Sequence, residues 1–260
     1  EPTLDYVVTK VARFPFDKFS DASNKLGTQM KATGEVMSIG RTMEESLLKA
    51  MRSLETGVCH IYHKKFDDWT NDRLLEYIAE PTDDRLYAIA QLIRGGVDLV
   101  LIYNRTKIDM FFLEKFKNIV EFERVVEAAP MDIEVLREAK RMGFSDKFIG
   151  QLWGVSQHDM YLLREKNGIF PVYKMIDTCA SEFSSYVPYF YSTYEDENES
   201  LVSDKEKIVV LGSGPIRIGQ GVEFDYSTVH AIWSIREAGY EAIIINNNPE
   251  TVSTDYTTSD

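Results

Sequence analysis

The sequence predicts a mainly α-helical protein, with a helical bundle in the middle of the chain and an incomplete α/β segment at each end. Two observations predict this arrangement. Apolar residues recur at helical spacing through the middle of the chain, in segments separated by short connections. Near the C-terminus, two apolar strand-like runs flank a helix-like run, which is the pattern of a β–α–β unit with parallel strands.

Residues 1–54 combine a predicted strand with a predicted helix. The strand-like run is Tyr6–Lys10. Thr42 and Glu45 have the spacing of a capping box, in which the threonine hydroxyl accepts from a free backbone N–H and the glutamate reaches back to the cap. The apolar residues that follow fall on one helical face and predict a helix packed against a core. They are Leu47, Leu48, Met51 and Leu54.

Residues 55–203 are expected to form a compact bundle of short helices. Their helical segments are predicted at Asp83–Arg94, Asp109–Ala128, Met131–Met142, from Ser145 to Trp153, and from Ser156 to near Gly168. Helical periodicity is then lost, and residues 171–194 are rich in aromatic side chains. The acidic run Glu195–Glu206 is nearly free of apolar residues and is interpreted as a solvated linker.

One part of the middle region, Phe144–Glu165, has the pattern of a helix–turn–helix, with Gly154 at the turn. Its second helix carries Arg164 and Lys166, which leaves a DNA-binding interpretation open. The bundle interpretation, an αα-corner between two packed helices, is favoured because the surrounding chain is strongly acidic.

Residues 204–260 change in style. Lys207–Leu211 is predicted to be a buried strand, residues 212–221 a glycine-rich loop, Phe224–Ala238 a helix and Glu241–Asn246 a second strand. Two parallel strands do not make a stable domain alone. This, together with the absence of an initiator methionine, leads us to expect a piece of a longer protein.

The composition excludes several classes of protein. The 260 residues include 29 Lys and Arg against 42 Asp and Glu, for a net charge of −13, which disfavours general binding to nucleic acid or anionic membranes. Apolar runs are too short to span a bilayer. Only two cysteines are present, and no signal-peptide pattern opens the chain, so we expect a reducing, cytoplasmic location.

The glycine-rich loop follows a strand and precedes a helix, which is the context of a phosphate cradle. It departs from the dinucleotide fingerprint, because arginine stands where the third glycine would fall and Asn246–Asn248 replace the acid expected after the second strand. A phosphate site and a tight structural turn both remain open. The loop residues concerned are Gly212, Gly214, Arg217, Gly219 and Gly221.

Other chemistry-bearing residues carry weaker signals. Cys59, His60 and His63 lie close in sequence, but nothing nearby completes a metal site, and we expect no bound metal. Cys179 would act as a nucleophile only with a histidine close in space, and an inert thiol is the favoured interpretation. We assign no catalytic residue to the chain.

Several long segments of this sequence closely resemble the carbamoyl-phosphate synthetase large subunit. Residues 207–226 and 247–256 resemble the start of its second synthetase half. At the other end, residues 1–10 and 30–42 are similar to the end of its first ATP-grasp unit. Between them, residues 107–113 and 172–180 resemble its helical connecting domain and the exit from that domain.

This resemblance implies three domains in a central slice of a larger enzyme. Residues 1–54 would end the first ATP-grasp unit, residues 55–203 would form the oligomerisation domain, and residues 204–260 would begin a Rossmann-like pre-ATP-grasp subdomain. The family makes carbamoyl phosphate from bicarbonate, ammonia and two ATP. The resemblance also implies that the parent enzyme uses ATP, Mg²⁺ or Mn²⁺, and K⁺ as cofactors, and we expect none of them in this slice.

The same resemblance implies a set of partners and a set of site residues. The partners are the rest of the large subunit, a glutaminase subunit that supplies ammonia, and further copies of the chain. Motif by motif, Glu35, Gly221, Glu223 and Glu250 correspond to positions that line the internal passage for carbamate. The slice alone is expected to be inactive. The alternative from another class is an acidic helical adaptor with no tie to catalysis.

Overall fold

The protein is described by a computed structural model that covers residues 3–183, 186–248 and 251–260. Its helices are α1 (Met43–Ser53), α2 (Asn71–Tyr77), α3 (Arg85–Arg94), α4 (Leu99–Thr106), α5 (Met110–Ala128), α6 (Ile133–Arg141), α7 (Asp146–Trp153), α8 (Gln157–Lys166) and α9 (Glu223–Glu237). Its strands are β1 (Val7–Arg13), β2 (Gly34–Gly40), β3 (Val172–Met175), β4 (Phe190–Thr193), β5 (Lys207–Leu211) and β6 (Glu241–Ile245). The predicted fold class, mainly helical with small α/β segments, is confirmed.

The N-terminal segment is an antiparallel hairpin of β1 and β2, against which α1 packs. The predicted capping box is present at the start of α1. The backbone N–H of Glu45 donates to the Thr42 hydroxyl at 3.2 Å. The Glu45 carboxylate accepts from the Arg41 N–H at 2.7 Å, so it reaches one residue further back than the cap itself. The first bond satisfies a backbone donor that the first turn of a helix leaves free, and the second satisfies the N–H of the residue before the cap.

The hydrophobic core is shared between α1 and the helical bundle. Leu47, Leu48, Met51 and Leu54 are all nearly or completely buried, as predicted from their spacing. They belong to the same apolar cluster as residues of α3 and α5. Burial of each such side chain contributes roughly 1.5–3 kcal/mol. The N-terminal hairpin and the bundle are therefore held together by one core.

The helix–turn–helix pattern is an αα-corner built into this bundle. Gly154 ends α7 with a φ of +67°, a conformation that favours glycine. Gly150 allows the close approach, because a Cβ there would lie 2.5 Å from the Val155 carbonyl oxygen. Arg164, which a DNA-binding surface would have to expose, is buried and paired with Asp146 through a 2.7 Å bond. The geometry supports the corner and not a DNA reader.

The helices α2 and α4 were not predicted. In α4, residues Leu99–Tyr103 are all apolar and so lack the periodic pattern that reveals an amphipathic helix. Asp98 begins it by accepting the N–H of Val100 at 2.7 Å. Among the residues of α4, only Ile102 is fully buried. Most of its other apolar side chains therefore face outward.

The C-terminal unit is the predicted β–α–β arrangement, with β5 and β6 parallel and α9 between them in the chain. The expectation that β5 is buried is wrong. Ile208, Val209 and Leu211 are 38%, 49% and 76% exposed. The physical reason is that this sheet pairs two strands within the described residues, so its surfaces are only partly covered.

Between the bundle and this unit, the aromatic-rich segment forms a second antiparallel hairpin of β3 and β4. Tyr191 packs there with Ile39 of β2 and Ile176. None of the described helices is both long and apolar enough to cross a membrane.

Candidate functional site: a cleft beside the glycine-rich loop

A cleft of about 440 Å³ lies between residues 30–35 and the glycine-rich loop. Its first wall comes from the start of β2, and its second comes from the loop and the first turn of α9. The start of β2 and the loop that follows β5 therefore lie side by side, although they come from opposite ends of the chain. Three of the sequence-predicted site residues, Glu35, Gly214 and Gly221, line this cleft.

Gly34 allows the two walls to meet. A Cβ atom at this position would lie 2.4 Å from the backbone oxygen and 2.8 Å from the backbone nitrogen of Ile216. Backbone atoms cannot move aside as a flexible side chain would, so only glycine fits here. The start of β2 is therefore in direct backbone contact with the loop.

Two of the predicted passage residues, Glu35 and Gly221, line this cleft. The Glu35 carboxylate pairs with Lys10 of the neighbouring strand at 3.0 Å, and both side chains remain about half exposed. A third, Glu223, is the first residue of α9, and its carboxylate accepts the Gly221 N–H at 3.0 Å. The fourth, Glu250, lies outside the described residues.

Asp225 is a cleft residue that the sequence did not identify. Its carboxylate accepts the backbone N–H of Val252 at 2.9 Å and that of Ser253 at 3.3 Å. It therefore fixes the segment that begins at Val252 to the first turn of α9. The partners are 27 and 28 residues apart, and no local pattern could have revealed the contact.

The glycine-rich loop has the geometry of a structural turn. Gly214 and Gly219 have φ values of +73° and +82°. A Cβ at Gly212 would lie 2.5 Å from the Asn246 side chain. The loop's one cation, Arg217, forms an ion pair with Glu55. These contacts use the glycines for close backbone approach.

The same surroundings do not suit a phosphate. The start of α9, which would offer free N–H groups to an anion, carries Glu223 and Asp225 in its first turn. With Arg217 already paired, no unpaired cation of the loop faces this helix end. Within the described residues, the loop therefore does not fit a nucleotide phosphate, and the turn interpretation is favoured.

The candidate metal residues have other partners. His60 is buried and stacks on Phe148 with ring centroids 3.7 Å apart. Its Nε2 lies 2.9 Å from the Glu123 carboxylate. His63 instead accepts the Lys65 N–H at 3.0 Å. No group of three His, Cys, Asp or Glu side chains placed to hold a metal occurs in the described parts of the chain.

His60 belongs to a buried charged network in the helical core. Arg94 donates to both oxygens of Glu123, at 2.7 and 2.6 Å. Burial lowers the pKa of His60 from its usual value. Burial alone would raise the pKa of Glu123, but the hydrogen bonds from Arg94 and His60 outweigh it and lower that pKa. The network holds α3 and α5 to the segment that follows α1, so it is structural.

Cys59 and Cys179 are both free thiols, each half-buried. The backbone N–H of Cys179 donates to Asp177 at 2.8 Å, within a turn after β3. No described contact gives either sulfur a base.

Comparison with known families decides the assignment. The family described as the carbamoyl-phosphate synthetase large chain oligomerisation domain matches residues 35–168. The chain belongs to the carbamoyl-phosphate synthetase large-chain family. The family described as the carbamoyl phosphate synthase preATP-grasp domain matches residues 204–260. The predicted family is thus confirmed, and neither comparison supports an unrelated adaptor.

The two matches place the carbamoyl-phosphate synthetase regions on the fold. The oligomerisation-domain match includes β2 and the helices from α1 to α8. The preATP-grasp match includes β5, α9 and β6. The cleft has Glu35, the first residue of one matched region, on one side and Gly221, in the other matched region, on the other. The domain boundaries after residues 54 and 203 stay predictions.

Proposed function

We propose that this chain works inside an ATP-dependent carbon–nitrogen ligase that makes carbamoyl phosphate from bicarbonate, glutamine-derived ammonia and two ATP. In that enzyme the chain connects the two synthetase halves and mediates self-association. The observation that carries the proposal is the cleft, in which β2 meets the glycine-rich loop. ATP, Mg²⁺ or Mn²⁺, and K⁺ are proposed to bind to other parts of the enzyme, and a glutaminase subunit is the proposed ammonia source.

The cleft is proposed to form part of the route that carries carbamate between the halves. Carbamate and water yield ammonia and bicarbonate, so a route must shelter the intermediate from solvent. A route must also release its cargo. The described residues that line the cleft include Glu35 and Asp225 but neither lysine nor arginine. Such walls offer a small anion no ion pair that would hold it.

Gly221 gives the sharpest test of this proposal. A leucine at this position would project into the cleft, whereas the nearest obstacle to its Cβ is the movable end of Glu223, at 2.7 Å. In the whole enzyme, Gly221→Leu should lower carbamoyl phosphate formation and raise the ATP consumed per product. Gly27→Leu is the matched control, since Gly27 has open space around it. An unchanged ATP-to-product ratio in Gly221→Leu would refute the route.

The isolated chain is proposed to be catalytically inactive, because the described residues offer no nucleotide or metal site. Purified chain mixed with bicarbonate, ammonia, ATP and Mg²⁺ should form no carbamoyl phosphate. Detection of product above the level of a chain-free control would overturn this part of the proposal.

Self-association is proposed to use an exposed apolar surface on the helical domain. This surface, the α4–α5 face, consists of Val100, Leu101, Tyr103, Phe111 and Phe112, which are 38–53% exposed. Contiguous apolar surface of this kind is typical of protein–protein contacts. The occupant is proposed to be a second copy, because the face lies inside the region matched by an oligomerisation domain.

The α4–α5 face can be tested by charge substitution. Wild-type chain should scatter light as at least a dimer, and Leu101→Glu combined with Phe111→Glu should shift it toward the 29.9 kDa monomer. Leu201→Glu is the control, since Leu201 is 76% exposed and lies outside the face. A wild-type chain that remains monomeric at all concentrations, or a variant that associates unchanged, would count against this surface.

A further inference from the structure

The glycine-rich loop is attached to the helical domain at the C-terminal end of α1. Its Arg217 guanidinium pairs with the carboxylate of Glu55, which follows the last residues of the helix. Nearby, the Asn247 side chain donates to the Ser53 carbonyl at 3.1 Å. These polar contacts and the close backbone approach at Gly34 fix the position of the loop beside the cleft.

Glu55 has a backbone conformation that its own chemistry does not favour. Its φ is +54°, in the left-handed region where a helix usually ends on glycine. A glycine would adopt this conformation without strain. A strained backbone is retained where the surrounding structure uses it. Here the strained position directs a carboxylate at the loop, where a Cβ on Gly214 would lie only 3.0 Å from Oε1 of Glu55.

The Glu55–Arg217 pair is poorly placed to stabilise the fold. The two side chains are 39% and 50% exposed, and exposed ion pairs add little to folding free energy. Its geometric effect is larger, because it fixes the only cation of the loop. Arg217 adjoins Ile216, which lines the cleft, while the cleft itself carries Glu35 and Asp225. A released guanidinium would be attracted to those carboxylates.

We infer that Glu55 is a positioning residue for the carbamate route: it holds Arg217 out of the cleft and fixes the glycine-rich loop at the height that keeps the route open. This inference rests on the proposed route. It adds a residue, outside the cleft, whose side chain controls the width and charge of the cleft without contacting the cargo.

Glu55→Gly separates positioning from stability. Glycine removes the carboxylate and also relieves the backbone strain, so the thermal midpoint should stay the same or rise. Hydrogen exchange of the amides in residues 212–221 should nevertheless become about two- to fivefold faster, the range that one exposed ion pair supplies. The charge-swapped variant, Glu55→Arg with Arg217→Glu, should bring exchange back toward wild type. Glu121→Gln, which breaks a similarly exposed pair on α5, is the control.

The same variants in the whole enzyme connect loop position to function. Glu55→Gly should raise the ATP consumed per carbamoyl phosphate, and the charge swap should restore the ratio. Unchanged loop exchange in Glu55→Gly would overturn the positioning role. Faster exchange with an unchanged ATP ratio would overturn its link to the route. If Glu55→Gly raises the ATP consumed per carbamoyl phosphate but Gly221→Leu does not, the proposed route itself would be refuted.

Discussion

Replacement of Glu123 should strongly destabilise the helical core. Glu123 is 8% exposed, and its carboxylate accepts three hydrogen bonds from two side chains. Arg94 supplies two of them and His60 the third. Glu123→Ala would leave the Arg94 guanidinium without its counter-charge and the His60 Nε2 without its partner, while both stay largely out of water.

The expected loss follows from that geometry. Removal of one partner from a buried ion pair costs about 3–5 kcal/mol, because the remaining charge is left uncompensated. Glu123→Gln should cost less, about 2 kcal/mol, because an amide oxygen still accepts from Arg94 while the amide N–H₂ faces a donor. Glu121→Ala, two residues earlier on the same helix, should cost under about 0.5 kcal/mol because its pair with Lys117 is exposed.

Urea unfolding, followed by tryptophan fluorescence, measures these differences. Trp153 is a suitable reporter because its indole N–H donates to the Val126 carbonyl of α5 at 2.6 Å. With a slope of about 3 kcal/mol per M, Glu123→Ala should lower the midpoint by about 1–1.7 M. A shift no greater than that of Glu121→Ala, at an unchanged slope, would refute the view that this network stabilises the bundle.

Two further predictions concern pH and backbone fit. The pKa of His60 is lower in the fold than its usual 6.5, so the unfolded chain binds more protons. The free energy of unfolding should therefore fall as pH drops below about 6.5. In urea unfolding measured from pH 5 to 8, His60→Phe should reduce this dependence of stability on pH. Gly143→Ala should lower the free energy of unfolding by about 3 kcal/mol and Gly154→Ala by about 1 kcal/mol, measured by thermal or urea unfolding. Both glycines have a positive φ, but only at Gly143 would a Cβ also lie 2.8 Å from the Glu45 Cα. Equal losses in the two glycine variants would contradict this reasoning.

Local signals in the sequence predicted most helix starts correctly. Thr42, Ser145 and Ser156 each accept a backbone N–H at the start of a helix that was predicted to begin at that position. Such bonds depend on residues three positions apart, so a sequence displays them directly. The helix α4 was not predicted because a run of apolar residues shows no helical periodicity. The burial of β5 was misjudged because burial depends on which elements lie alongside, and a strand's own residues do not record that.

The cleft was predictable only in part. The resemblance of short motifs indicated Glu35, Gly221 and Glu223 as members of one site, but sequence alone could not bring positions nearly 190 residues apart together. Glu55 carried no signal at all, since it follows an ordinary amphipathic helix and precedes an ordinary turn. Its importance rests on a positive φ and a distant arginine, which are properties of the three-dimensional structure.

The helix α1 connects three parts of the structure: β2, the helical core and the glycine-rich loop. Its N-terminal turn is tied to the end of β2, its middle is packed into the helical core through residues such as Leu48, and its C-terminal end leads to Glu55 and the loop. A helix of 11 residues therefore links the end of β2 and the glycine-rich loop to the bundle. Because the α4–α5 face proposed for association lies on helices that contribute to the same core, contact between copies would brace this helix. Disruption of the α4–α5 face should then also speed exchange in the glycine-rich loop, and exchange that is equal in monomer and oligomer would show that the two are independent.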